Sequence, residues 1–175
     1  MIEKNLILNE GTLVDATLIH SSEPKRKKDE NGKTISNKAN DEDASYTSKR
    51  GRKHHGYKIH IATDTNSIIK EVITTTAKTH DSTQFDELIK DETKAVFADS
   101  GYMSQNRKRE LRAKGIFNGI TERRVRGQSK LRVKQSKNNT KFSKVRALVE
   151  LPFAFIKKLM KYTETKYLGL HKNSQ

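Results

Sequence analysis

The stretch Lys94–Ser104, KAVFADSGYMS, places a carboxylate at the end of a short apolar run. Residues Ala95–Ala98 are apolar throughout, which is typical of a strand that is covered on both faces of a sheet. Asp99 ends the run, and Ser100-Gly101 begin a turn. A negative charge at the end of a core strand costs free energy unless a cation, a hydrogen-bond donor or water meets it. The stretch therefore predicts a buried strand and a partner for Asp99.

The segments on either side predict a mixed α/β sheet. Residues 57–62, YKIHIA, alternate apolar and polar side chains, as a half-buried strand does. The β-branched segment 67–77 follows a turn and predicts the partner strand. The predicted order is strand 12–19, strands 57–62 and 67–77, helix 81–90, strand 94–98, helix 104–114, strand 116–121 and helix 142–161. This order favours one α/β domain, residues 1–173, over a helical bundle or a β-sandwich.

Two polar segments interrupt this pattern. Residues 21–55 contain few aliphatic side chains, a basic run at 25–28 and several turn signals, which predict a long, mobile loop. Residues 123–146 contain ten Lys or Arg and no Asp or Glu, and we predict a basic loop before the last helix. Such a segment is either a solvated loop or a surface that binds the phosphates of a nucleic-acid backbone, and the absence of acids favours the second interpretation.

The charge of the whole chain points to a polyanionic partner. The 175 residues include 36 Lys and Arg against 21 Asp and Glu, which gives a formal net charge of +15. A balance this positive is most often found in nucleic-acid-binding proteins, although a basic protein without such a partner is the alternative.

Composition also limits the location and the type of site. The chain has no cysteine, which excludes disulfides and thiolate metal sites. No apolar run approaches the ~18 residues of a membrane span, and the start lacks the pattern of a secretory signal. We therefore expect a cytoplasmic protein without membrane contact. The histidine spacing, with His54 next to His55, disfavours a zinc site.

Two strand acids, Asp15 and Asp99, are candidate metal ligands. If their strands are neighbours, the two carboxylates approach each other, and one of them protonates unless a cation lies between them. Hard oxygen ligands of this kind suit Mg²⁺, which retains water for a phosphate substrate. Tyr102, which follows the Asp99 turn, either packs under such a site or touches the substrate.

A third acid, Glu150, lies on the predicted last helix. At about 100° per residue, Arg146, Glu150 and Lys157 fall within about 40° of one another on the helical wheel. An apolar stripe made of Val145, Val149, Ile156 and Met160 runs beside them. This arrangement places Glu150 at the rim of the buried face, between two cations. Pro152 is expected to kink the helix there.

The motifs around these acids resemble those of the RNase H-like DDE transposases of bacterial insertion sequences, and look closest to insertion-sequence family five. The motifs are LVDATLI (13–19), HGYKIHIATD (55–64), VFADSGY (96–102), VRALVELPFAFIK (145–157) and KYLGLHKN (166–173). They occur in the family's order and cover nearly the whole chain. The family signature around the glutamate is Tyr, two residues, Arg, three residues, Glu, six residues, Lys. Arg146, Glu150 and Lys157 match it, and Ser143 stands at the Tyr position.

This resemblance implies a function and a set of site residues. In the family, three acids hold two divalent metal ions and catalyse DNA cleavage and strand transfer at the ends of a mobile element. Asp15, Asp99 and Glu150 are the corresponding residues, with two Mg²⁺ expected and Mn²⁺ as a substitute. Arg146 and Lys157 are expected to contact DNA phosphate near the cleaved bond. Further DNA contacts are expected from four residues of the basic segment, namely Lys144, Arg123, Arg124 and Arg126.

The resemblance also suggests that the chain is a piece of a longer transposase. Relatives carry an N-terminal helical region that binds the terminal repeats, and an apolar C-terminal extension that finishes the domain. We therefore expect a homo-oligomer or a partner chain in the active form, with terminal inverted repeats and target DNA as partners. One alternative is an inactive DNA-binding remnant that interferes with a full-length transposase. Another is a basic RNA-binding protein of the ribosomal kind, which does not explain the three spaced acids.

Overall fold

A six-stranded mixed sheet is the centre of the computed structural model, which describes residues 10–23, 27–35, 41–49, 51–91, 94–124 and 126–175. The strands are β1 (Thr12–His20), β2 (Lys27–Lys28), β3 (Thr34–Ile35), β4 (Ser45–Lys49), β5 (Arg52–Thr63), β6 (Ile69–Thr76), β7 (Ala95–Ala98) and β8 (Phe117–Asn118). The α-helices are α1 (Phe85–Leu88), α2 (Gln105–Ala113), α3 (Val133–Arg146), α4 (Glu150–Ala154) and α5 (Leu170–Asn173). β2 and β3 form a separate two-stranded hairpin.

Strand β1 lies in the middle of the sheet, whose order is β4-β5-β1-β7-β8 with β6 on β5. β1 is antiparallel to β5 and parallel to β7. The parallel register sets Val14 beside Ala98. Asp15 and Asp99 each follow one of these paired residues and are therefore neighbours, Asp15 in the middle of β1 and Asp99 directly after the end of β7. The structure thus confirms that the two predicted strand acids lie on adjacent strands.

The alternation of side chains along β1 separates two apolar clusters. Val14 belongs to a cluster with Phe85 and Leu88 of α1 and Leu111 of α2. Leu13 faces the other way, into a cluster that includes Val149 and Phe153 of the last helical segment. Successive side chains of a strand point to opposite faces, so Asp15 shares the face of Leu13. This geometry aims Asp15 at the segment that carries Glu150.

The mixed α/β sheet flanked by helices, as implied by the RNase H-like resemblance, is confirmed. The predicted strand at 116–121 is shorter, since only Phe117–Asn118 pair with β7. The predicted helix at 81–90 begins with a 3₁₀ turn, Asp81–Gln84, and continues as the single turn α1.

The predicted start of the last helix near Phe142 is wrong. Helix α3 begins at Val133, where the Gln135 side chain accepts a hydrogen bond from the Arg132 N–H at 3.0 Å. Only residues 123–132 of the basic segment precede this helix, so the basic loop is shorter than predicted. No residue of α3 is buried, which explains why an apolar periodicity did not mark its start.

The predicted long loop at 21–55 contains regular structure. β4 pairs with the first residues of β5, with Ser45 opposite Gly56 and Lys49 opposite Arg52. The β2–β3 hairpin also lies in this segment, while residues 24–26, 36–40 and 50 are outside the described residues. The exposed, polar strands β4 and early β5 lack the apolar alternation by which a half-buried strand is recognised.

Among the described residues, no helix combines the length and the apolar character needed to cross a membrane.

Candidate active site

Asp15 is a mostly buried carboxylate that two donors meet. Its Oδ1 accepts a hydrogen bond from the Ala16 N–H at 2.8 Å, and its Oδ2 accepts one from Arg146 Nη1 at 2.9 Å. The side chain is 19% exposed. Burial raises the pKa of Asp15 to about 6, and the charges of Glu150 and Asp99 add to the rise. The Ala16 N–H and Arg146 act in the opposite direction without cancelling the effect of burial.

Asp99 ends β7 as the sequence predicted. Its Oδ1 accepts a hydrogen bond from the Ser100 N–H at 2.6 Å, which starts the 3₁₀ turn Ser100–Tyr102. Thr121 Oγ1 lies 3.5 Å from the same oxygen. These contacts occupy Oδ1 and leave the residue exposed at the end of its strand. The donor supplied by Thr121 comes from the loop after β8, which sequence spacing alone did not connect to Asp99.

Tyr102 lies underneath the acids. Its side chain is 2% exposed, and its ring packs against Phe85 with 5.7 Å between ring centroids. Burial raises the pKa of the Tyr102 phenol, and the nearby carboxylates, Asp81 foremost, raise it further. Within the described part of the chain, the buried hydroxyl has no hydrogen-bond partner. Of the two predicted alternatives, the structure supports packing under the site.

Glu150 begins α4 and faces the same guanidinium as Asp15. Its Oε1 lies 3.8 Å from Arg146 Nη1, and its side chain is 59% exposed. Arg146, one turn earlier in the helical segment, is therefore a cation between a buried and an exposed carboxylate. The predicted position of Arg146 beside Glu150 is present as this contact, whereas the contact between Arg146 and Asp15 was not predicted.

Lys157, which follows Pro152 in the sequence, contacts β1, the strand that carries Asp15. Its Nζ donates to the Leu18 carbonyl of β1 at 2.9 Å. Burial lowers the pKa of Lys157, Lys49 lowers it further, and Glu150 opposes both effects. The helical wheel set Lys157 on the face of Arg146 and Glu150 and did not predict its contact with β1. The wheel was wrong for Met160, which is 62% exposed instead of lying in an apolar stripe.

The other predicted DNA-binding residues lie further along the basic segment. Lys144 is exposed on α3, and Arg123, Arg124 and Arg126 are exposed before that helix. Arg124 Nη1 donates to the Ser129 carbonyl at 2.9 Å. Among the residues that the structure describes, no ion pair joins any of these four side chains to Asp15, Asp99 or Glu150.

The three acids offer carboxylate oxygens, which are the ligands that a hard divalent cation prefers. Asp15 and Asp99 are neighbours, and Glu150 shares the Arg146 guanidinium with Asp15. Burial and the neighbouring acids disfavour the charge of Asp15, so a cation near it is favourable. In the described part of the chain, no group of three or more His, Asp or Glu side chains is arranged so that it could hold a metal ion. The Arg146 guanidinium provides the positive charge between Asp15 and Glu150 instead.

Comparison with known proteins identifies the family of the chain. A family model described as a transposase DDE domain matches residues 8–175. No solved structure matches the chain. The match confirms the resemblance at the level of DDE transposases, and the narrower assignment to insertion-sequence family five stays a prediction.

Proposed function

Because the chain belongs to the transposase DDE domain family, we propose that it is the catalytic part of an insertion-sequence transposase. The proposed reaction is hydrolysis of a phosphodiester bond at an element end, followed by transesterification with target DNA. The observation that carries the proposal is that Asp15 and Asp99 follow paired residues of two adjacent strands, while Arg146 contacts both Asp15 and Glu150. The proposed location is the cytoplasm, because the substrate is cellular DNA.

The proposed cofactor is a pair of Mg²⁺ ions, with Mn²⁺ as a substitute. Asp15, Asp99 and Glu150 would hold them. When bound, such ions activate the attacking oxygen and stabilise the leaving oxygen. The high pKa of Asp15 supports this role, because a buried carboxylate with two acidic neighbours gains from a cation.

Under this proposal, Arg146 binds Asp15 in the free chain and a DNA phosphate in the complex. In the free chain it compensates the charge of Asp15, at 2.9 Å. When DNA binds, a backbone phosphate offers the guanidinium a second anion, since arginine suits planar, bidentate recognition of phosphate. Movement of Arg146 toward that phosphate would release the Asp15 oxygen for the metal. DNA binding and metal binding would then favour each other.

The basic surface supports the DNA partner. Lys157 is held near β1 by Leu18, and we propose that it contacts a phosphate beside the cleaved bond. Four further cations, Lys144, Arg123, Arg124 and Arg126, would bind phosphates farther along the duplex. The proposed partners are the terminal inverted repeats, target DNA, and a second copy or a partner chain in the active assembly.

Nicking of supercoiled plasmid tests the catalytic proposal. We expect nicking by the parent chain in Mg²⁺ or Mn²⁺ and none in EDTA. Asp99→Asn keeps the size of the side chain but removes its charge, and it should abolish nicking. Asp86→Asn is the matched control, because Asp86 is an exposed acid on α1, 72% accessible and away from the site strands.

The outcomes separate the two candidate functions. Nicking by the parent and Asp86→Asn, but not by Asp99→Asn, supports the transposase. Salt-sensitive DNA binding without nicking by any chain favours the alternative, a DNA-binding protein that interferes with an active transposase. Equal nicking by all three chains contradicts the assignment of Asp99.

A further inference from the structure

The β4–β5 hairpin is a second basic element, separate from the basic segment at 123–146. Lys49 and Arg52 are paired at its tip, and the side chains of Ser48, Lys49, Arg52 and Lys53 are exposed. The sequence from Ser45 to Thr63 contains no Asp or Glu. The tip therefore presents cations that its own strands do not neutralise.

The hairpin lies against the part of β1 that follows Asp15. A cavity of about 170 Å³ is lined by Thr47–Lys49 of β4 and by Ala16–Leu18 of β1. Ala16 is the residue next to Asp15, and its N–H donates to the Asp15 carboxylate at 2.8 Å. The hairpin is thus directly beside the candidate catalytic strand.

One cation lines this cavity, and a second binds a residue that lines it. Lys49 lines the cavity, and Lys157 donates to the carbonyl of Leu18, another lining residue, at 2.9 Å. Lys49 is close enough to oppose the charge of Lys157, whose pKa is lowered first by burial and then by Lys49. Two like charges held together are unfavourable, and an anion between them would remove the repulsion.

Lys58, a second lysine that lines the cavity, is already neutralised by an acid. Lys58 Nζ lies 2.8 Å from Asp81 Oδ1 and donates to the Thr79 carbonyl at 2.7 Å. Among the described residues, no ion pair neutralises Lys49 or Lys157, although Glu150 is near enough to favour the charge of Lys157. Both are ammonium groups, which bind phosphate as point charges.

We propose that the β4–β5 hairpin binds the backbone of duplex DNA, with Lys49 and Lys157 sharing a phosphate beside the cleaved bond. Arg52 and Lys53 bind further phosphates along the same strand. The choice of DNA rests on the proposed function, while the binding site rests on the position of the hairpin. Contacts of this type position the duplex and do not read its sequence.

The salt dependence of binding in EDTA tests this proposal without any catalytic step. Anisotropy of a labelled 30-base-pair duplex would be measured between 50 and 300 mM KCl. Each lost phosphate contact should reduce the slope of log K against log salt by about 0.9. Lys49→Gln should reduce it by about 1, and the triple variant Lys49→Gln, Arg52→Gln, Lys53→Gln by about 3. Circular dichroism would check that each variant is folded.

Lys90→Gln is the matched control for net charge. Lys90 is an exposed lysine whose Nζ lies 2.8 Å from Glu87 and 3.7 Å from Glu71, so it is a poor phosphate ligand. The slope of log K against log salt for Lys90→Gln should equal that of the parent. An unchanged slope in the triple variant, or an equal reduction in Lys90→Gln, would overturn the proposal.

Cross-linking gives an independent readout of position. The chain has no cysteine, so Lys49→Cys offers a single attachment point for an azidophenacyl group. We expect a photo-cross-link to duplex DNA from position 49 and none from position 90. Cross-linking to duplex RNA or to anionic phospholipid vesicles in preference to DNA would overturn the proposal. Because no cleavage is measured, loss of nicking in the plasmid assay leaves this test intact, and the two proposals fail separately.

Discussion

Under the proposed function, Asp15 must meet two requirements that oppose each other. A carboxylate aimed at a metal must be ionised, while burial between two other acids disfavours its charge. The folded pKa of about 6 lies above the unfolded value of 3.8, so the folded state binds more protons between these pH values. Stability from this group is therefore greatest at low pH and is lost as the pH rises through about 6.

We predict that Asp15→Asn stabilises the metal-free chain near neutral pH. Asparagine resembles the protonated acid, so the variant avoids the cost of a buried charge. A difference in pKa of this size corresponds to about 1–3 kcal/mol in the free energy of unfolding. Urea unfolding in EDTA at pH 7.5 should detect the gain. At pH 4.5 the gain should largely disappear, and a gain that is equal at both pH values would contradict the assignment of the charge.

The same variant should lose its response to divalent cations. A ligand that binds only the folded state stabilises it in proportion to the logarithm of its concentration. Mg²⁺ or Mn²⁺ should therefore raise the melting temperature of the parent and of Asp86→Asn, but not that of Asp15→Asn. Equal shifts for all three chains would mean that the cations bind elsewhere.

Site residues differ in how far the sequence could predict them. The three acids were singled out because each lies in a short motif of a known family, and their catalytic role stays a prediction. The contact between Arg146 and Asp15 was not predicted, since the helical wheel relates Arg146 only to residues of its own helical segment. Lys49 was not predicted, because nothing in the polar segment 21–55 marks the strand that carries it toward β1.

The last helical segment changes its hydrogen bonding in the region of Pro152. Proline has no N–H, and its ring conflicts with the carbonyl four residues earlier, here that of Leu148. The residues Ala147–Val149 form a 3₁₀ turn, and Ser67 Oγ donates to the Leu148 carbonyl at 2.8 Å. The turn between β5 and β6 thus supplies the hydrogen bond that the helix lacks. Ser67 adopts a positive φ of 65° in that turn.

We predict that Ser67→Ala destabilises the chain by about 1–2 kcal/mol, because the Leu148 carbonyl loses its donor. Pro152→Ala restores an N–H at the position that could serve this carbonyl. In the Pro152→Ala background, Ser67→Ala should therefore cost much less. A double-mutant cycle by urea unfolding measures this coupling. Purely additive effects would mean that the serine hydroxyl and the missing proline donor are unrelated.

Helical wheels fail where the helix type changes. Phe155–Leu159 form a π-helical turn, which holds more residues per turn than an α-helix. Residues after it are rotated relative to the predicted wheel, which accounts for the exposure of Met160. Lys157 lies inside this turn and reaches Leu18. A proline can be read from the sequence, but the resulting pattern of hydrogen bonds depends on the tertiary partner Ser67.

Across the whole molecule, the sequence predicted the strands that carry apolar or β-branched residues. β1, β5 and β7 were predicted from residues that the fold buries, and β6 was predicted from its β-branched residues. β4 and α3 were missed because they are largely polar. β4 is held by pairing with β5, and α3 contacts the sheet through Phe142, whose ring packs against Phe97 and Phe117. The same polar elements carry much of the positive charge, so the parts hardest to predict are those proposed to meet DNA.

Two buried groups give the folded chain opposite responses to acid. His60, on β5 opposite Ala16, is fully buried, and burial lowers its pKa from 6.5 to about 4. Lys58 lowers that pKa further, and Asp81 opposes the shift. The unfolded state therefore binds more protons here, and stability falls as the pH falls from 6.5 toward 4. Asp15 acts in the opposite direction over an overlapping range.

We predict that this opposition is visible in His60→Gln. Glutamine stays neutral and can keep a polar contact to Thr75 Oγ1, which lies 2.9 Å from His60 Nε2. The variant should be less stable at pH 7 because a buried ring is lost. Its stability should nevertheless fall less between pH 6.5 and 4.5, by about 1–3 kcal/mol, since it no longer has a buried histidine to protonate. Unfolding by urea at several pH values, followed by circular dichroism, measures the difference. His171→Gln, at an exposed position, should reproduce the parent curve, whereas a parallel curve for His60→Gln would show that His60 does not govern the acid response.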